Sequence, residues 1–212
     1  MAKTLIHEEL YRTATLLQKM AQQELIICGA GAIGSNLIDN ITRQGFKNIS
    51  VIDMDRVEDH NRHTQIWSSR DIGQYKATAM KNYVYTSMGI QIKENYKKLD
   101  ASNVKKFLKT SGVVIDGFDN VPSRALVTNF CKETKTDCLH IGLFKDYAEI
   151  IWNDAYRIPD DTKALDVCEY PLARNIVMLA VVVGTESLIR FVDSKVKENF
   201  IITLKDLKIS KI

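Results

Sequence analysis

The sequence predicts an α/β fold, an open and mostly parallel sheet with an N-terminal helix before it and antiparallel strands at its C-terminal end. Three observations predict it. From residue 24 onward, short apolar runs alternate with helical apolar patterns, the signature of a parallel sheet wound through crossover helices. The first run, Leu25-Ile26-Ile27-Cys28, leads directly into Gly29-Ala30-Gly31-Ala32-Ile33-Gly34, a strand–turn–helix junction spaced Gly-x-Gly-x-x-Gly. Asp53 then stands about 20 residues past the turn, where an acidic side chain suits a ribose hydroxyl. Together these make the fold Rossmann-like.

Each element follows from its local pattern. Leu5, Leu10, Leu16, Leu17 and Met20 recur at roughly helical spacing, so residues 5–23 are expected as one N-terminal helix. Strands are expected at 24–28, 48–53, 90–95, 112–116 and 137–142, with helices near 32–44, 75–88, 101–109 and 121–134. Pro122, just after Asn120, suits an early helical position, where its missing N–H costs little. Beyond 142 the pattern changes. The stretch 147–156, centred on Ala148-Glu149-Ile150-Ile151-Trp152, reads as a strand, and the polar stretch 158–170 as irregular. A long apolar helix runs from Pro171 to about Val192, and Phe200-Ile201-Ile202-Thr203-Leu204 is expected as the last strand. There is no low-complexity linker and no repeat, so 1–212 reads as one domain with a crossover loop at 157–170 covering or bordering the site.

Composition excludes little but points one way. A chain of 212 residues with 45% hydrophobic and 26% charged residues is ordinary for a globular protein. A net charge of +3, spread along the chain, gives no support to nucleic-acid binding. The lysines at 105, 106, 109, 132 and 135 read as solvated helix faces. No signal segment opens the chain. The longest apolar stretch, Ile176 to Val183, is shorter than the roughly 20 residues that span a bilayer. The expectation is a cytoplasmic protein with no membrane partner. The four cysteines, at 28, 131, 138 and 168, form no Cys-x-x-Cys pair, so no structural zinc is expected. Cys28, Cys131 and Cys138 fall in core-like positions. Cys168, in the polar stretch, is the candidate thiol nucleophile.

The polar residues cluster after the strands. In an open parallel sheet ligands bind at the carboxyl ends of the strands. There lie the glycine turn, Asp53 and Asp55 after the second strand, and Asp116-Gly117-Phe118-Asp119-Asn120 after the fourth. A glycine turn opening a helix cradles anions through outward-facing backbone N–H groups. Lys76 and Asn61 can balance triphosphate charge, and a carboxylate such as Asp119 can hold Mg²⁺ between phosphates. No Lys-Ser or Lys-Thr follows the glycines, so this is not a loop for γ-phosphate transfer, and attack at the α-phosphate is the alternative. Structural readings stand beside these. Asp53 can cap the segment after it, Asp55 and Asp116 can be turn residues, and Arg124 can pair with Asp116 or Asp119. His60, His63 and His140 have no metal-ligand spacing and read as surface or hydrogen-bonding residues. Trp67 and Trp152 read as core or interface anchors.

Taken in order, Gly-x-Gly-x-x-Gly, Asp53-x-Asp55, Asn61 with Gln65, Gly73-x-x-Lys76, Asp116-x-x-Asp119-Asn120 and Arg124 make the chain resemble the ThiF/MoeB family. These are ubiquitin-activating-enzyme-like adenylyltransferases, and the resemblance runs from about residue 10 to 145 with an echo in 171–192. It implies an ATP- and Mg²⁺-dependent enzyme that joins AMP to the C-terminal carboxylate of a ubiquitin-like or sulfur-carrier protein or peptide. It implies that Gly29, Gly31 and Gly34 approach the nucleotide, that Asp53 and Asp55 bind on the ribose side, and that Asn61, Arg62, Lys76 and Asn120 complete the nucleotide contacts. Asp119 would bind the magnesium ion and act as the leading catalytic carboxylate beside Lys76. Arg12 would cross a homodimer interface to the γ-phosphate. The chain departs from the family's Asn-x-x-Arg-Gln: it reads Asn61-Arg62-His63-Thr64-Gln65, so either Arg62 or His63 replaces the arginine or the triphosphate is held more weakly. Two other functions stay open at this stage: a non-catalytic scaffold of the same fold, and a nicotinamide-dependent oxidoreductase.

Overall fold

A computed structural model describes residues 3–108, 111–158 and 171–212. Its centre is an eight-stranded sheet in the order β3-β2-β1-β4-β5-β6-β7-β8. Strands β1 (Leu25–Cys28), β2 (Ile49–Ile52), β3 (Lys93–Asn95), β4 (Val113–Asp116) and β5 (Cys138–Phe144) run parallel. Strands β6 (Tyr147–Trp152), β7 (Phe200–Thr203) and β8 (Lys208–Lys211) continue it antiparallel. The central parallel strands β1, β2 and β4 are short and largely buried on both faces, which is why they read as continuous apolar runs, whereas the polar, partly exposed β3 does not.

Register decides where a ligand can sit. Cys28 lies opposite Ile52 on one side and Asp116 on the other. The carboxyl ends of β2, β1 and β4 are therefore level, and the winding reverses between β1 and β4. A crevice opens at such a switch point. It receives the turns that follow all three strands.

The helices are α1 (Ile6–Arg12), α2 (Ala14–Gln22), α3 (Ala32–Gln44), α4 (Lys76–Met88), α5 (Val104–Phe107), α6 (Val121–Thr134) and α7 (Arg174–Ser194). Alternate strand residues feed two cores. Leu25, Ile27 and Ile115 face α2, α3, α4 and α7, while Ile26, Cys28 and Val114 face α5 and α6. By length and composition α7 would cross a membrane, yet 61% of its apolar window is buried and it packs on α3, β5 and β6. Trp152 is fully buried, gives its indole N–H to Ser187 Oγ at 3.1 Å and tilts on Phe191, a core residue as expected.

Four sequence expectations are corrected. The N-terminal helix is broken at Thr13, whose φ of 77° ends α1 while its hydroxyl accepts from the backbone N–H of Leu16 to start α2. The third strand is only Lys93–Asn95, since residues 90–92 precede the ladder with β2. The helix expected at 101–109 contains one turn, Val104–Phe107, nucleated by Asp100 and Asn103 holding each other's backbone. Phe200–Thr203 is not the last strand. Lys208–Lys211 pairs with it at the sheet edge, exposed and lysine-bearing, and so carries no apolar signal. Residues 157 and 158 belong to no helix or strand. Most of the expected crossover loop, Cys168 included, lies outside the described residues.

Candidate active site

The glycine turn is built for close approach. Gly29 has φ +95°, a conformation glycine adopts freely, and its N–H is held by the Ile52 carbonyl at 2.8 Å. A Cβ on Gly34 would collide with the Gly29 carbonyl, so helix and turn touch backbone to backbone there. A Cβ on Gly31 would meet nothing within 4 Å. Gly31 is also the N-cap of α3, where no side chain bonds the first turn and no acidic residue offsets it. That leaves open N–H groups at the positive end of a 13-residue helix.

Asp53 closes one side of this cradle. It is 6% exposed, and its two oxygens accept from the Ala30 N–H at 2.6 Å and the Asp55 N–H at 2.8 Å. The capping reading and the ligand reading both fit, because each oxygen retains a second lone pair. Burial pushes its carboxyl above the ordinary aspartate value, against the opposing pull of Lys76 and the two N–H donors. Lys76, first residue of α4 and 8% exposed, reaches Asp55 Oδ2 at 3.2 Å, and its backbone N–H is held by the Asp55 carbonyl. Tyr75 just before it stacks on Tyr96 at 5.0 Å and carries Arg56 over its ring at 4.0 Å. These contacts fasten the start of α4 to the ends of β2 and β3.

The turn between them is self-locked. Asn61 Oδ1 accepts from the Glu58 N–H at 3.0 Å, and Arg62 pairs with Asp59 at 2.6 Å. His63 Nδ1 lies 2.8 Å from the His60 carbonyl. Both candidates to replace an arginine at Thr64 are thus engaged within their own turn. Thr64 is buried, and its carbonyl accepts from Asn36 Nδ2 at 2.8 Å, which ties the turn to the first residues of α3. Arg174 donates to the His63 carbonyl at 3.2 Å from the other side.

On the opposite wall, the loop after β4 packs against the glycine turn: a Cβ on Gly29 would stand 3.1 Å from the Gly117 carbonyl oxygen. Asp116 is fully buried and contacts His140 Nδ1 at 2.9 Å, the Phe118 N–H at 3.1 Å and Arg124 at 3.6 Å. Arg124 also donates to Tyr156 Oη and to the Ile141 carbonyl, and Tyr156 stacks on His140 at 3.7 Å. Asp116 and Arg124 therefore hold the loop from beneath. Asp119 is exposed, with one contact among the described residues, from Asn120 Nδ2 at 3.3 Å, leaving its carboxylate available to a cation. Asn120 spends its oxygen capping α6 on the Ser123 N–H at 3.0 Å.

Arg12 is elsewhere. It pairs with Glu8 and Glu186, each at 2.7 Å, pinning α1 to α7 of the same chain. Burial pushes the thiols of Cys28 and Cys138 well above the usual range, consistent with inert core residues. Among the described residues no His, Cys, Asp and Glu cluster suits a metal ion by itself. An open depression of about 600 Å³, bordered by Lys19, Glu24, Asn48 and Ser111, lies at the amino ends of the strands, away from the cradle.

Comparison with known protein families matches the ThiF family over residues 4–185. The chain belongs to that family. Among ThiF-like relatives, it is 27% identical over 114 residues to a sulfur carrier protein adenylyltransferase of Thermus thermophilus, covering 53% of this chain and 42% of the relative. It is 26% identical over 129 residues to a SAMP-activating enzyme E1 of Haloferax volcanii, covering 60% of this chain and 48% of the relative. The chain spans less than half the length of either. The solved structure of E. coli MccB with ATP superposes with a TM-score of 0.79 at 18% identity, covering 98% of this chain and 69% of that one, and shows the same fold.

Tyr156 and Arg174 escape sequence reading, and His140, read only as a surface or hydrogen-bonding residue, is the buried partner of Asp116. His140 has a neutral apolar neighbourhood in sequence, and its partner Asp116 is 24 residues away. Arg174 meets the 58–65 turn across 111 residues, a separation that carries no local signal.

Proposed function

We propose that the chain is an ATP- and Mg²⁺-dependent adenylyltransferase that activates the C-terminal carboxylate of a ubiquitin-like or sulfur-carrier protein or peptide. The observation that carries this reading is the convergence of three parts at level strand ends: an open glycine cradle, Asp53 fastened beside it, and Asp119 exposed on a loop packed against the same glycines. An NAD-binding fold has use for the first two; the exposed Asp119 and the buried Lys76 are what favour ATP.

In this reading the N–H groups around Gly31 receive phosphate oxygens, and Gly29 and Gly34 keep side chains out of the way. Asp53 accepts a ribose hydroxyl with the lone pairs left to it. Asp55 positions Lys76, which with Asn61, Arg62 and Asn120 surrounds the phosphates. Bound Mg²⁺ would supply charge neutralisation, and Asp119 is the residue that would hold it. A carboxylate oxygen of the acyl substrate attacks the α-phosphorus, the bond to the pyrophosphate oxygen breaks, and acyl-adenylate and pyrophosphate result. Positioning and charge balance suffice, with no covalent enzyme step. The working unit is a cytoplasmic homodimer in which Arg12 leaves Glu8 and Glu186 to reach a partner's γ-phosphate. Cys168 is the thiol for any later thioester.

ATP–pyrophosphate exchange with Mg²⁺ and a carrier ending in Gly-Gly tests the reading. Exchange is expected only with the carrier, and Asp119→Ala reduces it at least a hundredfold, the scale on which electrostatic partners of a transition state act. Carrier binding without exchange would replace this reading with the scaffold.

A further inference from the structure

We infer that Arg174 is a phosphate-binding residue of this site, contributed by α7 to the glycine cradle; the inference rests on the nucleotide-binding reading above. A triphosphate carries several negative charges, and the cations tied to the cradle's surroundings are largely committed. Lys76 is bonded to Asp55 and Arg62 to Asp59. Arg124 is buried against Asp116, and Arg56 lies on the Tyr75 ring with the Gly73 carbonyl at 2.6 Å. Arg174 differs. Its one described partner is a neutral backbone carbonyl, that of His63, and no carboxylate meets it among the described residues.

Its position is fixed toward the cradle. The residue after His63 is Thr64, whose carbonyl is bonded by Asn36 Nδ2, and the same Nδ2 bonds the Ala32 carbonyl at 2.7 Å. Ala32 directly follows the open Gly31. Three hydrogen bonds and the His63–Thr64 peptide link therefore join the guanidinium to the first residue of α3. One Nη1–H is used on the carbonyl, which leaves the rest of a planar five-donor fork for two oxygens of a phosphate. The placement is also costly unless an anion arrives. Arg174 is the first residue of a 21-residue helix with no acidic residue in its first turn, so its charge opposes the helix dipole. A local conflict of this kind is expected where function sets the residue. Thr64 on the same turn is uncharged and buried and cannot do this work.

The test is calorimetric titration of ATP and AMP, with Mg²⁺, into the full chain as wild type, Arg174→Ala and Arg174→Lys. Arg174 is exposed, so melting temperatures are expected to stay within a few degrees of wild type. Loss of a charge-assisted contact predicts ATP binding weakened roughly ten- to hundredfold in Arg174→Ala. AMP binding should hold within about twofold, and Arg174→Lys should recover part of the ATP affinity by keeping the charge without the fork. Unchanged ATP affinity in Arg174→Ala overturns the inference, as does equal loss for ATP and AMP, which marks a structural role. A wild-type chain that binds neither nucleotide overturns the proposed function instead.

Discussion

At the scale of single residues, the cradle separates folding from binding. Gly34 has no room for a methyl group, and Gly31 has room but faces the place a phosphate would take. Gly34→Ala should therefore destabilise the protein by about 1–3 kcal/mol through overpacking, seen as a lowered melting temperature. Gly31→Ala should melt like wild type and lose nucleotide affinity in titration. The glycine spacing was legible in the sequence, but which glycine serves which purpose was not, since both depend on what lies across the turn. Asp53 gives a second separation. Burial raises its carboxyl above the ordinary value, so as pH falls Asp53 takes up its proton earlier than an exposed aspartate. A group whose proton affinity is higher folded than unfolded favours the folded state as pH falls. Nucleotide affinity should thus begin to decline at a higher pH than an exposed aspartate would allow, while this residue does not weaken the fold. Titrations at stepped pH, paired with melting curves, check both halves. Affinity that stays flat down to the ordinary aspartate range would remove Asp53 from the ribose contact.

At the scale of elements, the parallel core was legible because its central strands β1, β2 and β4 are largely buried on both faces and α6 starts at a recognisable cap, Asn120 before Val121-Pro122. Edges and breaks were not. β8 is polar because it is exposed, and the break at Thr13 sits inside an unbroken helical pattern. A β-branched residue at φ 77° and ψ 148° occupies a region that glycine tolerates far better. Thr13→Gly loses a weak capping contact, 3.4 Å long, but relieves that strain. A net gain of about 1 kcal/mol is expected in the melting of the variant, and a loss of that size would mean the hydroxyl cap outweighs the strain.

At the scale of the whole molecule, the site was half legible. Gly29, Gly31, Gly34, Asp53, Lys76 and Asp119 were named from spacing, and the structure gathers their elements at one end of the sheet. What spacing could not give is the commitment of the other side chains: Asn61 to its own turn, Arg62 to Asp59, and Arg12 to Glu186 on α7. The most direct measurement is mass spectrometry of a Gly-Gly-ended carrier incubated with the chain, ATP and Mg²⁺. A carrier bearing one added AMP at its C-terminus is expected, with pyrophosphate released and the adduct absent from Asp119→Ala. ATP cleaved to ADP and phosphate with the carrier unmodified would place the attack at the wrong phosphorus and contradict adenylation.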